Sequence, residues 1–417
     1  MSKFIIQGGK SLEGEITVSG AKNSALKLIA ASLMTDKEVC LANVPDINDV
    51  RTMISILEKL GAEVDFHNHN FCINCATVKN IDPDYQLIKH MRASVMIIGP
   101  LLARFGAVKI PQPGGCLIGA RPINTHINAL KQLNVEFNED KDYYYFRTKK
   151  LTGGKVILDE MSVTATENVL MASVLASGKT EIHLAASEPE IVDLADLLNE
   201  MGAKIVGAGT SIIKVTGVSK LNGAKHTVIP DRIEAGTFAV AAAVSRGDVR
   251  IKNVIPDHLD IVLQKLTKAN VNFEIEGESV LHIKPTTIFS PIQIDTRPHP
   301  GFPTDLQAPF SVLLTQANGT SKIFETMYDG RLGYCRELKK MGANIDIIDN
   351  NNAIISGPTP LYGKEITSFD IRAGATLLIA AIIAQGQSVI DKVELIDRGY
   401  EKIEQRLSSL GANIKRI

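Results

Sequence analysis

The segment PQPGGCLIGARP, from Pro111 to Pro122, places one thiol, Cys116, after two glycines and shortly before a guanidinium, Arg121. Its prolines and the Gly114–Gly115 pair argue against regular helix or strand, so the thiol is expected on a mobile loop. A cysteine beside a positive charge favours the thiolate and is a candidate nucleophile or acid. Cations recur at a second kind of place. Lys22 in SGAKNSAL, Arg92 in KHMRASVM, Arg232 in PDRIEAG and Arg372 in FDIRAGAT each stand where an apolar run begins, and Asp305 holds the corresponding position in FPTDLQAP. A helix N-terminus already carries about half a positive charge, so lysine or arginine there is locally unfavourable. A bound phosphate or carboxylate would reconcile helix and cation. Arg331 in YDGRLGY and Arg398 in IDRGYE add cations in turn-like contexts. Any one of these reads equally well as a solvated surface charge; the set points to a small polyanionic substrate.

The elements that must position these groups repeat. A helix ending in a Leu-x-x-Gly-Ala pattern returns in LEKLGAEV, LKQLNVEF, LNEMGAKI, LTKANVNF, LKKMGANI and LSSLGANI, about every 70 residues, a period that marks a repeat architecture. Gly61, Asn134, Gly202, Asn270, Gly342 and Gly411 occupy the turn position. Glycine and asparagine tolerate the left-handed cap, so each marks a helix end. Before the first cap, Val50, Met53, Ile54, Leu57 and Leu60 form one apolar stripe, the signature of an outer helix. After the caps come short alternating runs such as SIIKVTG, which predict strands. A second helix per unit, such as TFAVAAAVSRG or ATLLIAAIIAQG, is apolar nearly all round and must be buried.

The sixth unit stops at IKRI, just after its cap, and KFIIQGGKSLEGEITVSG supplies matching strands. Residues 1 to about 21 are therefore expected to complete the last unit. The prediction is an α/β fold of two domains with helices inside and strands outside, each built of three repeated units. One domain spans 22–230 and carries the 112–121 loop. The other joins 1–21 to 231–417 and carries Asp305 and Arg398, with crossings near Gly20 and Pro230.

Composition narrows the function. The 417 residues are 45% hydrophobic and 22% charged with net charge −1, an ordinary globular balance that disfavours a nucleic-acid or membrane-surface partner. MSKFIIQGG does not read as a secretory leader. Five cysteines without an even framework are expected as free thiols in a reducing cytoplasm. No dinucleotide or P-loop glycine motif and no HExxH occurs, so neither a nucleotide cofactor nor a metal is expected. Cys72 and Cys75 form a C-x-x-C without a second pair, read as strand residues rather than ligands, and His67 and His69 fall in a polar hairpin turn.

GAKNSAL, PGGCLIGARP, PTDLQAP, DGR, DIRAGA and DRGYE occur in order along the whole chain. Together they resemble the UDP-N-acetylglucosamine enolpyruvyl transferase family. The resemblance implies two inside-out α/β barrel domains, with the active site in the cleft between them. It implies transfer of the enolpyruvyl group of phosphoenolpyruvate to the 3′-hydroxyl of UDP-N-acetylglucosamine, the first committed step of peptidoglycan synthesis. With that step come cell-wall biogenesis, cell shape and cell division, and sensitivity to fosfomycin. Cys116 would be the general acid and would form a covalent phospholactoyl adduct; Asp305 would serve as a base near the sugar hydroxyl. Lys22, Asn23, Arg121 and Arg398 would bind phosphoenolpyruvate, with Lys22 and Arg398 also acting in catalysis, and Arg331 and Arg372 would add to the same anion field. Arg92, Arg121, Pro122, Ile123, Asn124, Thr125, Ser162, Val163, Thr164, Asp305 and Met327 would form the UDP-sugar site. Two positions depart from the family pattern: Asn124 replaces a frequent aspartate, and Glu160 stands where some members carry lysine. Rival readings are 5-enolpyruvylshikimate-3-phosphate synthase, which lacks the PGGC loop, a non-catalytic UDP-sugar-binding regulator, and a purely structural repeat protein.

Overall fold

The computed structural model describes residues 2–112 and 123–417; Met1 and residues 113–122, with Cys116, Arg121 and Pro122, lie outside the described residues. Six helices close in the same way. At Gly61, Asn134, Gly202, Asn270, Gly342 and Gly411 the backbone turns left-handed, with φ of 103, 69, 102, 61, 106 and 98°. The following amide reaches back into the last turn, as in Ala62 N to Leu57 O at 3.0 Å, Ala203 N to Leu198 O at 2.9 Å and Ala412 N to Leu407 O at 3.1 Å. That is the Schellman closure, which satisfies carbonyls the helix end leaves open. In the first such helix, Asn48–Lys59, Val50, Met53, Ile54 and Leu57 face inward as the stripe requires.

The interior helices are Lys22–Ala31, Ile98–Phe105 with the 3-10 turn Arg92–Ile97 before it, Val163–Val174, Arg232–Val244, Thr304–Thr315 and Ile371–Ile383. In Arg232–Val244 every residue from Ile233 to Val244 is buried, the consequence of an apolar surface on all sides.

The chain divides into two compact units. One gathers 2–19 and 230–417; the other gathers 20–112 and 123–229. Each has its own hydrophobic core and three separate sheets. The passage at Gly20 leaves no room for a side chain: a Cβ would lie 1.7 Å from the Asn43 carbonyl oxygen.

Sheet topology corrects the expectation for residues 1–21. Lys3–Gln7 does join the last unit, antiparallel to both Gln387–Asp391 and Asn413–Arg416. Glu13–Thr17 instead runs parallel to Asp248–Lys252 in the sheet of the fourth unit. The reason is a recurring rule. Each of these sheets takes its parallel edge strand from the preceding unit, as Gln293–Asp295 does beside Gly319–Phe324 and Glu365–Thr367 beside Gln387–Asp391. Glu13–Thr17 fills the same edge position.

The cysteine expectation is also corrected. Val39–Ala42 and Asn70–Asn74 pair antiparallel with Cys40 opposite Cys72, and the two are joined as a disulfide with Cα atoms 4.1 Å apart. Periodicity identifies both strands, but only register brings the sulfurs together. Asn68 and His69 form the hairpin turn between Glu63–His67 and Asn70–Asn74, both with positive φ.

Candidate active site

In the unit holding Lys22, the cation opens an interior helix and is buried. Its Nζ lies 2.7 Å from Asp49 Oδ2. Asp49 sits in the first turn of the outer helix Asn48–Lys59, where a carboxylate complements the positive helix end. The helix Lys22–Ala31 starts after Ala21 without a side-chain cap, and Asn23 follows, partly exposed, in its first turn. Two residues into the same helix, Ser24 donates its hydroxyl to Asp193. Asp193 in turn pairs with His226 Nε2 at 2.8 Å, and Glu200 lies 3.1 Å from His226 Nδ1. Burial works against a charged His226, but Asp193 and Glu200 outweigh it and raise its pKa to about 9.

The expected UDP-sugar residues of this unit cluster around a neutral histidine. Burial, with Arg92 adding to it, lowers the pKa of His126 to about 3. Asn168 Nδ2 donates to His126 Nδ1 at 3.1 Å, which leaves His126 Nε2 to donate to Thr164 Oγ1 at 3.0 Å. Asn168 Oδ1 also accepts from Gly99 N at 2.7 Å, tying in the segment that Arg92 opens. Thr125 donates to Glu160 at 3.3 Å, so one family departure is engaged by its neighbour's partner. Ser162 caps Val163–Val174, accepting from Ala165 N. Ile123 is buried, and Asn124 begins the helix Asn124–Lys131. Thr164 and Ser162 are thus held by internal hydrogen bonds that sequence reasoning did not foresee.

In the other unit the charges are reversed. Asp305, in the first turn of Thr304–Thr315, sits between Arg331 Nη2 at 2.6 Å and Arg372 Nε at 3.0 Å. Burial alone would raise its pKa, but Arg372 and Arg331 overcome it and hold the carboxyl far below the usual carboxylate range. Both arginines, expected to face a substrate anion, are turned toward Asp305. Arg372 Nη1 is buried with no hydrogen-bond partner among the described residues. Arg331 Nη1 donates to Thr304 Oγ1 at 2.6 Å, and Thr304 donates to Glu325 at 2.6 Å. Glu325, fully buried, accepts from Met327 N at 2.7 Å and Tyr328 N at 3.1 Å, which fixes Met327 in place. Asp370 caps Ile371–Ile383 through the amides of Arg372 and Ala373 at 2.8 Å, and Asp231 caps Arg232–Val244 in the same manner. At these two helices the chain itself supplies the anion that the sequence pattern seemed to require.

Arg398, partly exposed, lies between two anchored neighbours, Asp397 and Tyr400. The Tyr400 hydroxyl is 2.9 Å from Thr237 Oγ1, and the Arg372 guanidinium lies over its ring at 5.1 Å. The free thiols Cys75 and Cys335 are buried, and burial pushes both up to about 12, which makes them poor nucleophiles. Sequence reasoning missed Asp49, Glu325 and Asp193. For Asp193 the available signal was an acid inside an otherwise apolar helix pattern; Asp49 stands in the first turn of an outer helix and Glu325 directly after the strand Gly319–Phe324. Among the described residues one trio, Glu274, Glu276 and His282, has the spacing of metal ligands, but Lys284 and Arg250 already pair with its carboxylates.

A fold of six such units in two compact halves is that of the enolpyruvyl transferases. The enolpyruvyl transferase NikO from Streptomyces tendae superimposes with a TM-score of 0.91 at 23% identity, covering 100% of this chain and 99% of that one. EPSP synthase from Acinetobacter baumannii gives 0.76 at 18% identity, over all of both chains. A family profile described as EPSP synthase (3-phosphoshikimate 1-carboxyvinyltransferase) matches residues 6–407, and the chain belongs to that family. Among its relatives, a UDP-N-acetylglucosamine 1-carboxyvinyltransferase from Koribacter versatilis is 45% identical, over 100% of this chain and 97% of its own. The protein named UDP-N-acetylglucosamine 1-carboxyvinyltransferase 1 from Caldanaerobacter subterraneus subsp. tengcongensis is 47% identical, over 100% and 99%. No helix among the described residues is long and apolar enough to cross a membrane.

Proposed function

We propose that this protein transfers the enolpyruvyl group of phosphoenolpyruvate to the 3′-hydroxyl of UDP-N-acetylglucosamine, releasing phosphate. The observation that carries the reading is the Asp305 carboxylate fixed between Arg331 and Arg372, in a chain that matches full-length carboxyvinyltransferases. Lys22, Asn23, Arg121 and Arg398 bind the phosphate and carboxylate of the donor. Arg92, residues 121–125, Ser162 to Thr164, Asp305 and Met327 serve the UDP-sugar.

Protonation of the donor methylene makes C2 electrophilic, and Cys116 gives that proton. The sugar oxygen bonds to C2 as its proton passes to a phosphate oxygen of the donor, forming a tetrahedral ketal phosphate. The C2–O bond to phosphate then breaks, hydrogen phosphate departs, and the Cys116 thiolate takes back a methyl proton, which restores both the double bond and the thiol. Asp305 accepts a hydrogen bond from the sugar hydroxyl and orients it; two guanidiniums keep this carboxylate charged and a weak base. Arg331 and Arg372 belong to the anion field that meets the developing phosphate. The proposal includes the entry step of peptidoglycan synthesis and alkylation of Cys116 by fosfomycin, both carried over from the resemblance, and the cytoplasmic location expected from the cysteine count.

Phosphate release from phosphoenolpyruvate, with and without UDP-N-acetylglucosamine, tests the reading. Release that depends on the UDP-sugar supports it. Release that depends on shikimate 3-phosphate instead, or none with either acceptor, overturns it.

A further inference from the structure

Arg398 sits in an irregular stretch between the 3-10 turn Val393–Leu395 and the helix Ile403–Ser409. Backbone hydrogen bonds there are few and local, Gly399 N and Tyr400 N both reaching Ile396 O at 3.0 Å. A loop of this kind takes its shape from side-chain tethers. The residue before Arg398 carries one of them. Arg416 Nη1 and Nη2 grip Asp397 Oδ2 and Oδ1 at 2.9 and 2.6 Å, a two-point clamp. The same guanidinium reaches Glu404 through Nε at 2.9 Å and Nη2 at 3.2 Å. Its place is fixed in turn, since Phe4 stands opposite Arg416 in the strand pairing and its ring lies 4.8 Å from the guanidinium carbon. Arg416 therefore fastens both sides of the loop, Asp397 before Arg398 and Glu404 after it, to the edge of a sheet.

We propose that Arg416 is a positioning residue that sets Arg398 for its anionic ligand by clamping Asp397. This rests on the reading above, in which Arg398 binds the donor. An arginine held in place before the anion arrives loses little freedom on binding, and small displacements of such groups are costly. A lysine at 416 keeps the charge but cannot supply the planar two-point grip. Glu404 serves as the internal control, because its arm of the network does not touch the residue next to Arg398.

The test measures both Michaelis constants and kcat for Arg416→Lys, Arg416→Met, Asp397→Asn, Glu404→Gln, Arg398→Ala and the double variant Arg398→Ala/Arg416→Met. Removing the clamp should raise KM for phosphoenolpyruvate about tenfold in the Arg416 and Asp397 variants. KM for UDP-N-acetylglucosamine should stay unchanged, and Glu404→Gln should stay near wild type. Adding Arg416→Met to Arg398→Ala should cause no further loss, because the clamp acts only through Arg398. Losses that add in the double variant, or that strike both substrates alike in Arg416→Lys, overturn the proposal while leaving the function intact. A normal donor KM in Arg398→Ala overturns the reading on which the proposal stands.

Discussion

The two units meet the same problem, charge at the start of a buried helix, in opposite ways. In one, the Asp305 carboxylate is enclosed by two guanidiniums. In the other, the Lys22 ammonium meets the Asp49 carboxylate, and deeper in the same helix Lys27 lies 3.5 Å from Glu167. The first arrangement sets two guanidiniums directly against the carboxylate, so Asp305 stays charged. The second under-supplies its acids. Burial, only partly offset by Lys27, raises Glu167 to about 8, and neither of its oxygens has a hydrogen-bond partner among the described residues. The contrast separates an anion locked in charge from an acid that titrates near neutrality.

The largest expected effect comes from breaking the locked side. Asp305→Ala should lower kcat by about 100-fold or more, with a smaller change in the UDP-sugar KM; a steady-state assay showing the reverse split would remove Asp305 from the reaction. On the other side, Asp49→Ala takes a carboxylate away from a buried ammonium and should cost about 3–5 kcal/mol in denaturant unfolding. Lys22→Ala should abolish measurable donor binding by calorimetry; if donor affinity survives, Lys22 is a structural cation only.

Smaller effects follow the sign of each shift. Glu167 is more readily protonated folded than unfolded, so its contribution to stability is greatest below its unfolded value and declines as pH rises through about 8. Stability of the wild type relative to Glu167→Gln should therefore fall between about pH 5 and pH 8; a constant difference would mean that Lys27 keeps the carboxylate charged throughout. His226 shifts in the same direction, but there it is the charged form that its partners favour. Its folded pKa of about 9 stabilises the fold fully below its ordinary value, and the gain is lost as pH rises through about 9. His226→Asn should lack that alkaline loss in thermal melts.

Much of the frame was legible in the sequence. Gly61 and Asn134 announce left-handed caps because few other residues adopt that backbone, and runs such as TFAVAAAV announce buried helices because no face is polar. What stayed hidden depends on distant partners. Nothing local to Lys22 reveals Asp49, nothing near Thr304 reveals Glu325, and alternation in FCINC does not reveal that Cys72 faces Cys40. The destination of Glu13–Thr17 was hidden for the same reason, since strand propensity does not name the neighbour. The charge reversal between Asp305 and Lys22 was visible as residue types but not as pairings.

The locked charge on Asp305 can be observed directly. With carboxyl-13C aspartate incorporated, its resonance can be assigned by its loss in Asp305→Asn and followed from about pH 4 to pH 8, the range where a freed or raised carboxyl would titrate. The account predicts a shift position that does not move across that window, because Arg331 and Arg372 hold the carboxylate ionised throughout. A titration midpoint inside it would contradict the account and return Asp305 to the role of a group that gains and loses a proton near neutral pH.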